Sequence, residues 1–267
     1  MVDAEKFKEI VEFVKSNSYK AASDKYGIPY TTIKNWITRG SVPYSVVSNY
    51  DRAKEKRTLY DYISNTDPKE LIKSTLGFQN YSYLLGAYLG DGWITKQTTQ
   101  MKFCICKDRS RQTILDFWRR LLSKIGTVST FHRKSNCDVL KIALPLEFMN
   151  IFPQSGDGFK HLRCVELVSW QYEIIDYKFL LLGLFHTDGS CYKPTPTSAK
   201  LVYEFSNTSM DVIKIYKQCL ENLGIPFSEY DIKRKTPAKR IVARGETAKR
   251  MFSLIGTKES IPEEFFV

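Results

Sequence analysis

One stretch of this 267-residue chain occurs twice, and it limits what the chain can fold into. Leu84-Leu85-Gly86-Ala87-Tyr88-Leu89-Gly90-Asp91-Gly92 returns, loosened, as Leu181-Leu182-Gly183-Leu184-Phe185-His186-Thr187-Asp188-Gly189. Each copy reads as a short apolar helix with small residues on one face, ending in Asp-Gly. Asp91 and Asp188 are 97 residues apart (188 − 91), a period that fits a duplicated subdomain better than a solenoid.

Gly86 and Gly183 carry no side chain, so two helices crossing there can approach closely. Helices touching side by side bring their C-terminal ends together, each with one carboxylate. Gly92 and Gly189 suit a left-handed cap that turns the chain out into a strand. A carboxylate at the negative end of a helix dipole is badly placed, and two facing each other are worse unless divalent cations lie between them. Mg²⁺ takes carboxylate, phosphate and water oxygens in this way. The plainer alternative is a pair of buried helices whose aspartates only cap turns; two copies at domain-sized spacing favour the metal site.

The paired stretches resemble the motifs of the LAGLIDADG homing endonucleases, in the single-chain form with two copies, over roughly residues 80 to 260. The family's acidic metal ligand stands at the eighth motif position, occupied here by Asp91 and Asp188. The sixth position, acidic in the namesake motif, is Leu89 in the first copy and His186 in the second; His186 is either a ligand or a structural residue. The resemblance implies an α+β fold of two pseudo-symmetric αββαββα halves forming a DNA-binding saddle. It implies a site-specific DNA endonuclease that makes double-strand breaks at a long asymmetric target. It also implies two or three Mg²⁺ (or Mn²⁺) ions held by Asp91 and Asp188, with Gly90 and Thr187 just before them in the ligand set. Enzymes of the family place basic or amide side chains around the site, and by position these are Lys107, Asn207, Lys141 and Arg244. The alternative on the same scaffold is an intron-splicing RNA maturase, with the chain's own intron RNA as partner, or a non-cleaving DNA-binding regulator.

Composition agrees with a nucleic-acid partner. The net charge is +11, from 40 Lys and Arg against 29 Asp and Glu, which favours a polyanion. The six cysteines show no CxxC pair or zinc-finger spacing, and with three histidines no zinc site is expected. No secretory signal or membrane-length apolar run is evident, so an intracellular monomer without a membrane partner is expected. Splicing residues of the intein type are not evident, which suggests a free-standing or intron-encoded protein.

Ahead of the repeat, Phe7, Ile10, Val11 and Val14 lie at helical spacing. Residues 19–36 then read as a helix-turn-helix with Gly27 in the turn and Ala22, Tyr26, Ile28, Ile33 and Trp36 as its core. Tyr30, Thr31, Thr32, Lys34 and Asn35 would project toward a major groove; a small bundle that only docks on the chain is the alternative. The domains expected are a helix-turn-helix unit over 1–50, a helical linker over 51–79, a first repeat over 80–160, an inter-repeat linker over 161–176 and a second repeat over 177–267.

Within the first repeat, alternation in Met101-Lys102-Phe103-Cys104-Ile105-Cys106-Lys107 puts Met101, Phe103, Ile105 and Lys107 on one strand face. Helices are expected over 111–125 and 145–152, and a hairpin over 128–133 and 139–144. The second half replays this over 201–207, 211–223, 230–235, 240–244 and 247–255. Gly126 and Gly224, closing the long helices, are 98 apart (224 − 126). In the last hairpin Lys233, Arg234, Lys235, Lys239 and Arg240 alternate with strand-type residues and are expected to meet phosphates or guanine edges. A solvated lysine-rich hairpin is the alternative.

Overall fold

The structure, a computed structural model, describes residues 4–38, 67–97, 100–156, 158–195, 197–198, 200–233 and 236–265. It comprises two compact units, Met1–Asn65 and Thr66–Val267. Arg234 and Lys235, the side chains of Asn35 and Trp36, and most of the expected linker lie outside the described residues.

The first unit holds three helices, α1 (Ala4–Ser16), α2 (Tyr19–Tyr26) and α3 (Tyr30–Thr38). Ile10, Ala22 and Ile33 are fully buried, with Phe13, Val14, Tyr19, Tyr26 and Ile28 packed around them. The Ser18 hydroxyl caps α2 by accepting from the Ala21 N–H at 3.1 Å. Gly27 closes it with φ +64°, a left-handed conformation that glycine takes without strain. Tyr30, Thr31 and Lys34 are exposed on α3 and Thr32 is half-buried.

The second unit opens with α4 (Pro68–Thr75) and then runs the expected order twice. The first half is α5 (Phe78–Asp91), β1 (Gly92–Lys96), β2 (Met101–Asp108), α6 (Gln112–Ser123), β3 (Val128–His132), β4 (Cys137–Leu144) and a 3₁₀ turn, Leu146–Ile151. After α7 (Ser169–Ile174) the second half is α8 (Tyr177–Asp188), β5 (Gly189–Tyr192), β6 (Val202–Asn207), α9 (Met210–Asn222), β7 (Ser228–Ile232), β8 (Ala238–Arg244) and α10 (Glu246–Ile255). Each half forms one four-stranded antiparallel sheet, ordered β1-β2-β4-β3 and β5-β6-β8-β7. The first half closes on a 3₁₀ turn rather than an α-helix. Its buried Phe148 and Ile151 are three residues apart, the period at which 3₁₀ side chains eclipse.

α5 and α8 are buried on every side, because each packs on its partner helix and on the sheets. Their contact is backbone on backbone. A Cβ on Gly86 would lie 2.4 Å from the Leu180 carbonyl oxygen, and one on Gly183 would lie 2.1 Å from that of Tyr83. A hydrogen-bonded thread ties the crossing to the rest of the core. The Trp118 indole N–H donates to the Tyr83 hydroxyl at 2.8 Å. That hydroxyl is then left to donate to His186 Nδ1, also at 2.8 Å. Burial pushes the His186 imidazole down to about 3, so it stays neutral. Of its two sequence readings, the structural one is what this geometry describes.

Candidate active site

Helix α5 ends at Asp91 and α8 at Asp188, and the close crossing brings the two ends together. A Cβ on Gly90 would lie 2.9 Å from the Asp188 carboxylate. Gly92 and Gly189 carry each helix directly into β1 or β5 with extended backbone, φ −90° and −81°, which corrects the left-handed cap expected there. The partner strand then returns a polar side chain from its last residues to each carboxylate. Lys107, near the end of β2, donates to Asp91 Oδ2 at 2.7 Å and to the Thr187 carbonyl at 3.0 Å. Asn207, the end of β6, donates to Asp188 Oδ2 at 2.9 Å. The two halves thus use the same place on the same strand for a lysine and an amide. Asp91 opens on a cleft that includes Lys107, Arg111 and Lys258; Asp188 opens on one formed with Ser206, Asn207 and Thr208.

Two lysines absent from the sequence-based set complete the arrangement. The Lys160 ammonium donates to the carbonyls of Tyr88, Leu89 at 3.1 Å and Gly90 at 3.0 Å, the last turn of α5. Lys258 donates to the carbonyls of Thr187 at 2.9 Å and Gly189 at the end of α8. Each cation sits at the negative end of a helix dipole, where it is favoured. Burial is the main reason both ammonium groups are pushed down to about 8, against the pull of the two carboxylates. Asp188 is pushed up to about 6, first by burial and then by the charge of Asp91.

Gly90 and Thr187, expected among the metal ligands, offer carbonyl oxygens already held by these ammonium groups. Among the described residues no group of three or more His, Cys, Asp or Glu side chains could hold a metal. The donors present are nonetheless hard oxygens: two carboxylates, with carbonyls that already solvate cations. That chemistry suits Mg²⁺, which commonly takes one or two carboxylates and leaves its other positions to water and phosphate.

Lys141 and Arg244 are not brought to the carboxylates, which corrects their grouping with the catalytic residues. Lys141 pairs across from Cys104, three residues along β2 from Lys107, about 10 Å away at strand rise. Arg244 opposes Val202 at the far end of β6 from Asn207, and its guanidinium lies over the Tyr230 ring at 5.9 Å. Of the hairpin set, Arg240 shares a sheet face with Tyr230 and Ser206 and is ion-paired to Glu204 at 2.9 Å. Lys239 points the other way, to the face of Asn207, where Asp231 at 2.7 Å and Glu229 at 3.1 Å engage it. Lys239 and Arg240 thus take opposite faces, since one residue along a strand reverses the face. Lys233 is exposed just beyond β7.

The ammonium shifts have a measurable consequence. In the metal-free folded chain Lys160 and Lys258 lose their protons near pH 8, but in the unfolded chain only near 10.5. Their penalty is therefore full below pH 8 and is relieved as pH rises toward 10.5, by about 1.4 kcal/mol per unit for each lysine. Buried thiols such as Cys106, pushed up to about 11 by burial, act in the opposite direction. The quantity to read is thus the difference in unfolding free energy between wild type and K160M/K258M, in EDTA from pH 7 to 10. We expect it to shift toward the wild type above pH 8; a flat difference would mean the lysines titrate normally.

With two oxygen-rich helix ends and an antiparallel sheet behind each, the unit defines a duplicated α+β domain with one shared acidic site. Residues 177–256 match the family model described as a LAGLIDADG-like domain. The match falls within the second half, and the first half repeats its elements in the same order. Among solved structures the chain is similar to I-DmoI in complex with DNA and Ca, with 13% identity and a TM-score of 0.46 over 71% of this chain and 96% of that one. It is also similar to the I-SmaMI LAGLIDADG homing endonuclease bound to cleaved DNA, with 10% identity and a TM-score of 0.45 over 70% and 85%. None of the curated proteins compared with the chain matches it. Among the described residues no helix is long and apolar enough to cross a membrane.

Proposed function

We propose that the chain is a metal-dependent, site-specific DNA endonuclease that makes a double-strand break in a long asymmetric target. The observation that carries this reading is the pair of carboxylates at two touching helix ends, each held by a polar side chain from its own sheet. A protein that only binds a polyanion gains nothing from facing acids at that surface. Asp91 and Asp188 would hold the divalent ions, Mg²⁺ in the cell, and when bound these supply an activated water and charge stabilisation for the leaving oxygen.

The chain's own side chains do the rest. Lys107 and Asn207 fix the two carboxylates through one oxygen each, Oδ2, and the second oxygen of each would be the one offered to an ion. Lys160 and Lys258 offset negative charge gathering on a phosphate, at positions already fixed by carbonyl bonds. Both aspartates come from one chain, which supports action as a monomer. Arg240, Arg244 and Lys233 would meet the backbone of the duplex, and the exposed residues of α3 would read bases beyond it.

The test is cleavage of a library of duplexes that includes the chain's own flanking insertion site, with Mg²⁺ or Mn²⁺. Double-strand cutting at one site supports the reading. Tight, sequence-selective binding with no cut in either metal would overturn it in favour of a maturase or regulator.

A further inference from the structure

The segments that carry the two half-buried lysines are themselves a repeat. Gly158-Phe159-Lys160-His161-Leu162 and Gly256-Thr257-Lys258-Glu259-Ser260 are 98 residues apart (256 − 158). Both glycines have positive φ, +80° and +66°. The backbone and the lysine are shared; the three residues around the lysine are not. In the second copy they are satisfied within the chain. The Thr257 N–H donates to the Ser260 hydroxyl at 2.8 Å and the two hydroxyls are 3.1 Å apart. Glu259 is ion-paired with Arg111 of the first half.

In the first copy the same places hold Phe159, His161 and Leu162. Phe159 is 71% and Leu162 73% exposed, the highest values among the exposed large hydrophobic residues described. The His161 ring stacks on Phe159, with centroids 5.5 Å apart and planes at 21°. They are not loose ends. Lys160, between them, is bonded to the Gly90 carbonyl, one residue from Asp91, so the segment that carries the apolar pair is tethered to the end of α5. A sugar–phosphate backbone gives a phenyl ring and an isobutyl group little to contact; base faces and the gap between base pairs do.

We propose that Phe159 and Leu162, backed by His161, form a wedge that enters a base step on one side of the target's cleavage centre. The equivalent site in the second half makes only polar contacts. The wedge makes the two half-sites inequivalent at the centre itself. This rests on the endonuclease reading above.

The experiment uses the duplex selected by the cleavage library, with 2-aminopurine placed at successive positions across the cut, bound by the full chain in EDTA. Wild type is expected to raise the fluorescence at one step on one side only, the mark of an unstacked base. Phe159→Thr with Leu162→Ser, the residues the second copy uses on the same backbone, should abolish the rise and weaken binding about tenfold or more, the cost of a lost stacking contact. A wild type that binds and cuts with no rise, or with equal rises on both sides, would overturn the wedge and leave the endonuclease standing. An unchanged rise in the double variant, with a shift from dimer to monomer in sedimentation, would also overturn it and assign the patch to a second copy of the chain. Failure of the library to yield any cut site would remove both readings together.

Discussion

Asp188→Asn is expected to abolish cleavage and, at the same time, make the metal-free protein more stable at pH 8. The carboxyl is pushed up to about 6, mainly by burial and then by Asp91. The folded chain therefore holds that proton up to about pH 6, whereas the unfolded chain releases it near 3.8. Above pH 6 the buried charge is a full penalty on folding, and the penalty fades as pH falls toward 3.8. A shift of about two units corresponds to ~3 kcal/mol. The amide removes the charge, keeps the shape and can still meet Asn207. Unfolding in EDTA at pH 8 should show a gain of up to that size, shrinking at pH 4 to 5. Cleavage should fall by more than about 100-fold, since the loss of groups that only support a metal ligand reaches that range. An amide variant that cuts normally would dismiss the two-carboxylate site. One that is less stable at pH 8 would mean that Asp188 contributes more through its bonds than its burial costs.

The second large effect belongs to the helix crossing. Gly183→Ala puts a methyl group 2.1 Å from the Tyr83 carbonyl oxygen and 2.8 Å from the Ala87 nitrogen. Both are backbone atoms of a buried helix, so no side chain can swing away. The helices must separate, and with them the two carboxylates and the Tyr83–His186 bond. We expect a loss of about 3 kcal/mol or more, at the top of the range for overpacked cores. Gly126→Ala is the matched control. Its methyl would meet side chains rather than backbone, Ile142 Cδ1 at 3.0 Å and Cγ1 at 3.3 Å with Leu144 Cδ2 at 3.6 Å, and these can give way. Chemical denaturation of both variants should separate them by more than about 2 kcal/mol; equal stability would mean the crossing is looser than described.

The parts of the fold that were legible in sequence are those written in short-range patterns. Glycine spacing placed α5 and α8, and alternation placed Met101, Phe103, Ile105 and Lys107 on one face of β2, as their burial shows. Asp91 and Asp188 could be paired from the repeat itself, whereas Lys107 and Asn207 joined them only through the family resemblance, which places basic or amide side chains at those positions. Lys160 and Lys258 lie 69 and 70 residues beyond their aspartates (160 − 91 and 258 − 188), in irregular backbone without periodicity. Their one signal was the 98-residue spacing shared with Gly126 and Gly224, together with a Gly-x-Lys in both copies. Lys141, Arg244 and Lys239 show the opposite difficulty. Composition marks a hairpin as basic, but strand pairing decides which end approaches the carboxylates and which face a side chain takes. β8 begins at Ala238, two residues before its expected start.

The seventh motif position has diverged, with a consequence for how such a chain can change over generations. Thr187 fills space that Gly90 leaves open: a Cβ on Gly90 would lie 2.0 Å from the Thr187 hydroxyl. Paired with itself, the second half would set threonine against threonine where there is room for one. The first half, paired with itself, would leave a hole. Neither half retains the self-complementarity of a symmetric ancestor, so the duplication has become a ratchet. Each half now packs best against the other, and a gene trimmed to one copy would pair with itself only at a cost, a void in one case and a clash in the other.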